Sequence, residues 1–218
     1  CGKIGLPAGK AGKYFCDRCR STIRVIKENE AICPMCGRPA IDGITHPRCQ
    51  TQYSLDGLTS FFHYDGVIRK AIKAIKYSYV SDLTDEFISL ISLNADSRLR
   101  GNDIMLIPIP LHPSRLRFRG FNQAEKLGSV LAQQLQIPIR TDILWRSKET
   151  NPQVEMKHRR ERLQNMEHVF SISSKQPSRY PAVLLFDDVF TTGATMRAAA
   201  NVLKRSGIKQ AWGVTMAR

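Results

Sequence analysis

The sequence predicts an α/β domain with a mostly parallel sheet and flanking helices, preceded by a small metal-binding module. From residue 57 onward, short apolar runs typical of strands alternate with amphipathic stretches typical of helices. All six cysteines lie within the first 49 of the 218 residues. With 42% hydrophobic and 24% charged residues, the chain has the balance of a globular protein, which excludes wholesale disorder. We therefore expect the metal-binding module at 1–54 and the α/β domain at 55–218.

The predicted elements follow one another in alternation. Strands are predicted over 57–64, 103–110, 141–145, 169–172, 182–186 and 210–216. Helices are predicted over 67–77, 83–93, 122–136 and about 194–205, because apolar residues recur there at intervals of three and four. The stretch 147–166 between two strands is polar and basic, so it predicts a loop.

The cysteines predict zinc binding. Cys16 and Cys19 form one C-x-x-C pair, Cys33 and Cys36 form a second, and His46-Pro47-Arg48-Cys49 repeats the spacing with an imidazole. Two thiolates at this spacing converge on one ion, and a second pair completes a tetrahedron at Zn–S distances of about 2.3 Å. Because no basic-then-apolar leader opens the sequence, we favour metal ligation over a disulfide framework.

Two ligand pairings remain open at this point. In the first, which we favour because it uses every pair, one ion is held by Cys1, Cys16, Cys19 and a cysteine upstream. A second ion is then held by Cys33, Cys36, His46 and Cys49. In the alternative, a single ion is held by Cys16, Cys19, Cys33 and Cys36, and His46 is an ordinary loop residue. Either way the sequence predicts one or two structural Zn²⁺ ions.

The charge distribution indicates a polyanionic partner. The net charge is +14, with nine basic against four acidic residues in 1–50 and eleven against five in 111–165. Clustered positive charge attracts nucleic acid and phosphorylated small molecules alike, although a solvated basic surface has the same composition. No membrane span is expected, because the longest uncharged run, 127–139, falls short of the roughly 20 residues required. We expect a cytoplasmic protein.

The segment YPAVLLFDDVFTTGAT, residues 180–195, is the most informative in the chain. An apolar strand ends in Asp187 and Asp188, and a turn rich in threonine then enters a helix. Ligands of open α/β sheets bind beyond the carboxyl ends of the strands. Backbone N–H groups at a helix N-terminus suit a phosphate, and Gly193 allows close approach. Because paired carboxylates repel phosphate but accept hydrogen bonds from vicinal hydroxyls, the combination predicts a ribose 5-phosphate ligand.

This segment resembles the phosphoribosyl-diphosphate signature of the type I phosphoribosyltransferases. The cysteine pairs, IKAIKYS, IPIPLHPSRLRFRGFNQAEKLG, TNPQ…RRERLQN and DDVFTTGAT occur in the same order in the ComF/GntX-like family of competence-associated proteins. The resemblance implies a type I phosphoribosyltransferase-like parallel sheet preceded by a double zinc ribbon. It also implies a ribose-phosphate site made of Asp187, Asp188, Thr191, Thr192, Gly193, Ala194 and Thr195.

The same resemblance implies a pyrophosphate site and a basic hood. The tentative pyrophosphate residues are Pro110, Leu111, His112, Arg119 and Lys148. The hood carries Lys148, Lys157, Arg159, Arg160 and Arg162, which can neutralise a leaving pyrophosphate. Arg115, Arg117 and Arg119 alternate, so an extended strand would direct all three to one side, toward phosphate, nucleic acid or solvent.

Two functions follow from the resemblance and the charge. The first is binding of phosphoribosyl diphosphate with Mg²⁺, with or without transfer of the phosphoribosyl group and release of pyrophosphate, in a protein of DNA uptake. The second is a zinc-containing adaptor that handles single-stranded DNA alongside the competence machinery and keeps the nucleotide site as a relic. No catalytic residue is evident from the sequence, and the acceptor substrate is undefined.

Overall fold

The computed structural model describes residues 14–77, 83–91, 103–148, 169–173 and 180–218. Its strands are β1 (Gly57–Phe62), β2 (Ile104–Pro108), β3 (Leu144–Arg146), β4 (Phe170–Ile172), β5 (Ala182–Val189) and β6 (Gln210–Ala217). Strands β1, β6, β5 and β2 lie side by side in this order, and every adjacent pair is parallel. The predicted parallel sheet is confirmed. The predicted strands near 141–145 and 169–172 form, but as a separate antiparallel pair, β3 with β4.

The helices are α1 (Asp17–Ser21), α2 (Gly66–Tyr77), α3 (Leu83–Ser89), α4 (Pro113–Arg119), α5 (Gln123–Leu135) and α6 (Ala194–Arg205). Helix α3 ends at Ser89, earlier than predicted. Helix α4 forms where no element was predicted, and it replaces the extended conformation considered for Arg115, Arg117 and Arg119. Within the described residues, no helix has both the length and the apolar character needed to span a membrane.

The sheet is buried on both faces, which explains why its strands are mainly apolar. On one face, α2, α3 and α5 cover a cluster that includes Leu184 and Phe186. On the other face, α6 and the β3–β4 pair cover a cluster that includes Val183 and Leu185. Because successive side chains of a strand point to opposite faces, consecutive residues of β5 contribute to different clusters.

The N-terminal segment packs directly against the α/β body. Phe15 is 1% exposed and lies 6.0 Å, centroid to centroid, from the ring of Phe87 in α3. Residues 24–26 run beside β1, where the N–H of Ile26 donates to the carbonyl of Phe61 at 2.9 Å. These contacts cover an edge strand that would otherwise expose unpaired backbone groups. The boundary at 54/55 stays a prediction.

Candidate functional site

Four predicted zinc ligands come together near the surface of the N-terminal segment. The ligand atoms of Cys33, Cys36, His46 and Cys49 all lie within 4.8 Å of one another. Cys33 and Cys36 sit on a tight turn, here called the knuckle (residues 33–36), in which Gly37 N–H donates to the Cys33 carbonyl at 2.9 Å. Tetrahedral zinc places sulfur ligands about 3.8 Å apart, close to this spacing. This Cys3His group therefore fits one Zn²⁺ ion.

The ring of His46 is oriented for ligation. Its Nδ1 lies 3.4 Å from the sulfur of Cys36, and its Nε2 lies 2.9 Å from the carbonyl oxygen of Pro39. If Nε2–H donates to Pro39, the lone pair of Nδ1 is free to bind the ion. A second hydrogen bond of this kind commonly fixes the tautomer of a metal-binding histidine.

The remaining predicted ligands are not part of this group. Cys16 precedes α1 and Cys19 lies within it, and the structure gathers Cys33 and Cys36 with His46 rather than with these two. The alternative single site of four cysteines is therefore not the arrangement formed. A backbone N–H of Cys19 lowers the pKa of the Cys16 thiol, which favours its thiolate. Cys1 lies outside the described residues, so a second ion stays a prediction.

Asp187 and Asp188 lie inside β5, because the strand continues to Val189 and does not stop at Phe186 as predicted. Alternation along the strand sends them to different faces of the sheet. Asp188 is 4% exposed, and its carboxylate forms an ion pair with the ammonium of Lys76 in α2. Asp187 is partly exposed.

The electrostatics of the two carboxyls differ accordingly. Burial, and after it the negative charge of Asp188, raises the pKa of Asp187 to about 8, and the charge of Lys76 acts in the opposite direction. Burial disfavours the charge of Lys76, but its attraction to Asp188 outweighs that effect and raises the pKa of Lys76. The raised pKa therefore favours the protonated form of Asp187 at neutral pH, whereas Asp188 is the residue that pairs with Lys76.

The turn after β5, residues 190–195, is here called the phosphate loop. It leads into α6, and Gly193 adopts a φ of +73° in the left-handed region. A Cβ added at Gly193 would lie 2.5 Å from the ring of Phe190 and 3.3 Å from the carbonyl oxygen of Pro34 in the knuckle. Glycine is therefore required here by packing as well as by backbone conformation.

The predicted pyrophosphate residues begin at the same edge of the sheet. Because β2 pairs with β5 in parallel, Pro110 and Leu111 leave the sheet beside the phosphate loop. The Nδ1 of His112 accepts from the Ser114 N–H at 3.3 Å and so caps α4, which is a structural role. Arg119 donates to the side-chain oxygen of Gln123 in α5, and Lys148 is exposed. Lys157, Arg159, Arg160 and Arg162 lie outside the described residues.

The known proteins that the chain resembles carry names that refer to competence or to DNA utilization. The chain is 37% identical to competence protein F of Haemophilus influenzae over 115 residues, 51% of this chain and 50% of that protein. It is 27% identical to competence protein ComFC of Bacillus subtilis over 205 residues, 91% of this chain and 81% of that protein. DNA utilization protein YhgH of Escherichia coli O157:H7 is 27% identical over 195 residues, 87% of this chain and 85% of that protein. These relatives support a ComF-like family for the chain.

The chain spans about half the length of the Haemophilus protein. Its matches to the Bacillus and Escherichia proteins cover most of this chain and most of each relative. No family model matches the chain. The named relatives confirm the resemblance to ComF-like proteins that the order of motifs along the sequence had indicated.

Sequence reasoning missed two cations of this ComF-like chain. Lys76 of α2 reaches Asp188 and forms an ion pair with it. Arg146 of β3 is half-buried, and its pKa is lowered first by burial and then by the charge of Arg115, while Asp187 acts in the opposite direction. Arg115 and Arg146 are thus close enough to repel each other near the acidic strand end. No periodicity in the sequence signals either contact.

Proposed function

We propose that this protein binds phosphoribosyl diphosphate at the carboxyl end of β5 and acts in DNA uptake or DNA utilisation. One observation carries the proposal: a pair of carboxyls, Asp187 and Asp188, lies directly before a loop that opens a helix with glycine in the left-handed conformation. The names of the relatives, competence protein and DNA utilization protein, support the biological setting. A cytoplasmic location fits this role and remains part of the proposal.

In this proposal the residues divide the ligand among them. Asp187 is the carboxyl with access to solvent, so it accepts or donates hydrogen bonds to the ribose hydroxyls, and Asp188 holds Lys76 in place beside it. The N–H groups and hydroxyls of residues 191–195 bind the 5-phosphate. The tentative pyrophosphate residues Pro110, Leu111, His112, Arg119 and Lys148 remain part of the proposal. Mg²⁺ accompanies the pyrophosphate, because a hard cation prefers such oxygen ligands.

Two arginines support an anionic ligand in this region. Arg115 and Arg146 repel each other, and a pyrophosphate or another polyanion near both would relieve that repulsion. Transfer of the phosphoribosyl group would break the bond between C1 and pyrophosphate and form a bond from C1 to an acceptor. The acceptor is not identified by the described residues, so binding is the part of the proposal to test first.

Calorimetry with phosphoribosyl diphosphate, with and without Mg²⁺, tests the binding site. Asp187→Asn should weaken binding about two- to tenfold at neutral pH, because it replaces hydrogen bonds of a mostly neutral carboxyl, each worth roughly 0.5–1.5 kcal/mol. Asp142→Asn is the matched control. Asp142 lies outside β5 and pairs with Arg140, with 2.8 Å between Oδ1 and Nε. Equal affinities for wild type and both variants would show that the ligand, if bound, lies elsewhere.

A second function, binding of single-stranded DNA, is favoured by an exposed aromatic and basic surface. Phe118 of α4 is 88% exposed and follows Arg117 in sequence, and Trp145 of β3 is 55% exposed and precedes Arg146. Exposed rings stack on bases while arginines contact phosphates.

Fluorescence anisotropy with labelled oligothymidine tests this surface. Phe118→Ala and Trp145→Ala should each weaken binding by about 1–3 kcal/mol, roughly five- to 150-fold. Ile41→Ala removes another apolar side chain, 85% exposed, from the N-terminal segment and serves as control. The affinity should also fall steeply between about 50 and 200 mM salt. Affinity indifferent to salt and to both aromatic substitutions would contradict the proposal.

A further inference from the structure

The zinc-binding knuckle and the phosphate loop touch each other, and one side chain joins them. Arg197, in the first turn of α6, donates from Nη1 to the carbonyl of Met35 in the knuckle at 3.0 Å. It donates from Nε to the carbonyl of Gly193 at 3.3 Å and from Nη2 to the carbonyl of Thr192. Its guanidinium therefore holds two consecutive carbonyls of the loop and one of the knuckle.

A close backbone contact accompanies this bridge. The carbonyl oxygen of Pro34 lies 3.3 Å from the position of a Cβ at Gly193, and Pro34 and Gly193 are both buried. The knuckle thus packs directly against the phosphate loop.

We propose that Arg197 is a positioning residue that couples zinc ligation in the knuckle to the conformation of the phosphate loop, so that the ligand affinity of the loop depends on bound metal. The expected effect on ligand affinity rests on the proposed phosphoribosyl-diphosphate site. The contacts themselves do not depend on that function.

The coupling has a direct physical cause. Met35 lies between two zinc ligands, Cys33 and Cys36, so the direction of its carbonyl is set by the turn that ligation closes. A structural zinc ion supplies much of the folding energy of a module this small. When the ion leaves, the carbonyl of Met35 loses its fixed position, and the rigid fork of the guanidinium can no longer satisfy all three acceptors.

The charge of Arg197 adds to this effect. The three carbonyl oxygens orient the guanidinium at the start of α6. A cation held at the start of α6 favours a phosphate in the adjacent loop. Loss of the knuckle would therefore disorder the loop and release the cation that assists it.

Hydrogen exchange measured by mass spectrometry tests the coupling without any ligand. Amides of the phosphate loop should be protected in the zinc-loaded full chain, and chelation should increase their exchange by about five- to 150-fold. Arg197→Met should produce the same increase while zinc remains bound. Arg197→Lys keeps the charge but lacks the fork, so it should resemble Arg197→Met in exchange.

The matched control is Arg205→Met on the same helix. Arg205 also reaches the N-terminal segment, lying 4.4 Å from the ring centroid of Tyr53, but its side chain bonds to Asn201 and not to the loop or the knuckle. Hydrogen exchange of the phosphate-loop amides in Arg205→Met should equal that of wild type. Circular dichroism of all variants verifies that the fold is retained.

Titration with phosphoribosyl diphosphate separates this inference from the proposed function. If the exchange responds to zinc and to Arg197 but no variant binds the ligand, the coupling stands and the proposed function fails. If wild type binds the ligand, and neither chelation nor Arg197→Met changes affinity or exchange, the coupling is overturned while the proposed function stands. An Arg197→Lys variant that restores full protection would also overturn the inference, because charge alone would then suffice.

Discussion

The ion pair between Lys76 and Asp188 should contribute strongly to stability, and breaking it from either side should have opposite pH dependence. The side chains are 20% and 5% exposed, respectively. Removing one partner of a buried pair leaves an uncompensated charge and costs about 3–5 kcal/mol. Because Lys76 keeps some access to water, we expect Asp188→Asn to lower the free energy of unfolding by about 3 kcal/mol, the lower end of that range.

The pH dependence follows from Asp187, whose pKa of about 8 is raised by burial and by the charge of Asp188. In Asp188→Asn the second cause is gone, so the pKa of Asp187 falls, and ionising Asp187 between pH 5.5 and pH 8.5 costs less stability than it does in wild type. The loss of stability should therefore be smaller at pH 8.5 than at pH 5.5. In Lys76→Met, two neighbouring carboxyls lack a cation, and their repulsion grows as they ionise. Its loss of stability should be larger at pH 8.5.

Urea unfolding followed by circular dichroism at both pH values measures these effects, with zinc content determined in each sample. Asp142→Asn is the control, because the Arg140–Asp142 pair has side chains 34% and 40% exposed. A surface pair of this kind is worth about 0–1 kcal/mol. Losses below about 1 kcal/mol for both Lys76→Met and Asp188→Asn, or the same pH trend in both, would refute the reasoning.

Three further predictions follow. Asp187→Asn should flatten the pH dependence of the urea midpoint, because a carboxyl with a folded pKa of about 8 contributes stability that is lost as pH rises from its unfolded value of about 4 toward 8; an unchanged slope contradicts it. Gly193→Ala should lower the melting temperature more than Gly37→Ala, since both have φ near +75° but only the Cβ at 193 meets the Phe190 ring; equal shifts contradict it. Cys49→Ser should lose about one equivalent of zinc by elemental analysis, whereas a wild-type protein prepared without chelator and free of zinc contradicts the metal site.

The sheet and most helices could be predicted because their signals are local. Strand β2 and the first five residues of β5 are buried on both faces, so each appears as an apolar run. The antiparallel pairing of β3 with β4 could not be predicted, because short strands distant in sequence do not specify their partners. The grouping of Cys33, Cys36, His46 and Cys49 was predicted correctly from sequential pairing of ligands.

The error at α4 has a clear physical reason. The alternation of Arg115, Arg117 and Arg119 suggests an extended strand, but the flanking residues favour a helix. His112 caps the N-terminus through its Nδ1, Pro113 occupies the first turn, and Gly120 ends the helix at a φ of +80°. Start and stop signals of this kind deserve more weight than a period of two over three residues. The correction matters for function, because the helix presents Phe118 to solvent beside the arginines.

The pair Asp187–Asp188 shows why a site can be located from sequence while the roles of its residues cannot. Two adjacent carboxylates suggested two equivalent partners for two vicinal hydroxyls. Their position inside β5 instead places them on opposite faces, and tertiary contacts then determine their charges. Asp188 meets Lys76 from a helix more than one hundred residues away in sequence, and that pairing keeps its charge buried. The same negative charge helps to keep Asp187 protonated. One carboxylate therefore maintains the contact between sheet and helix, and the other, held by it near its titration point, is the group available to a ligand.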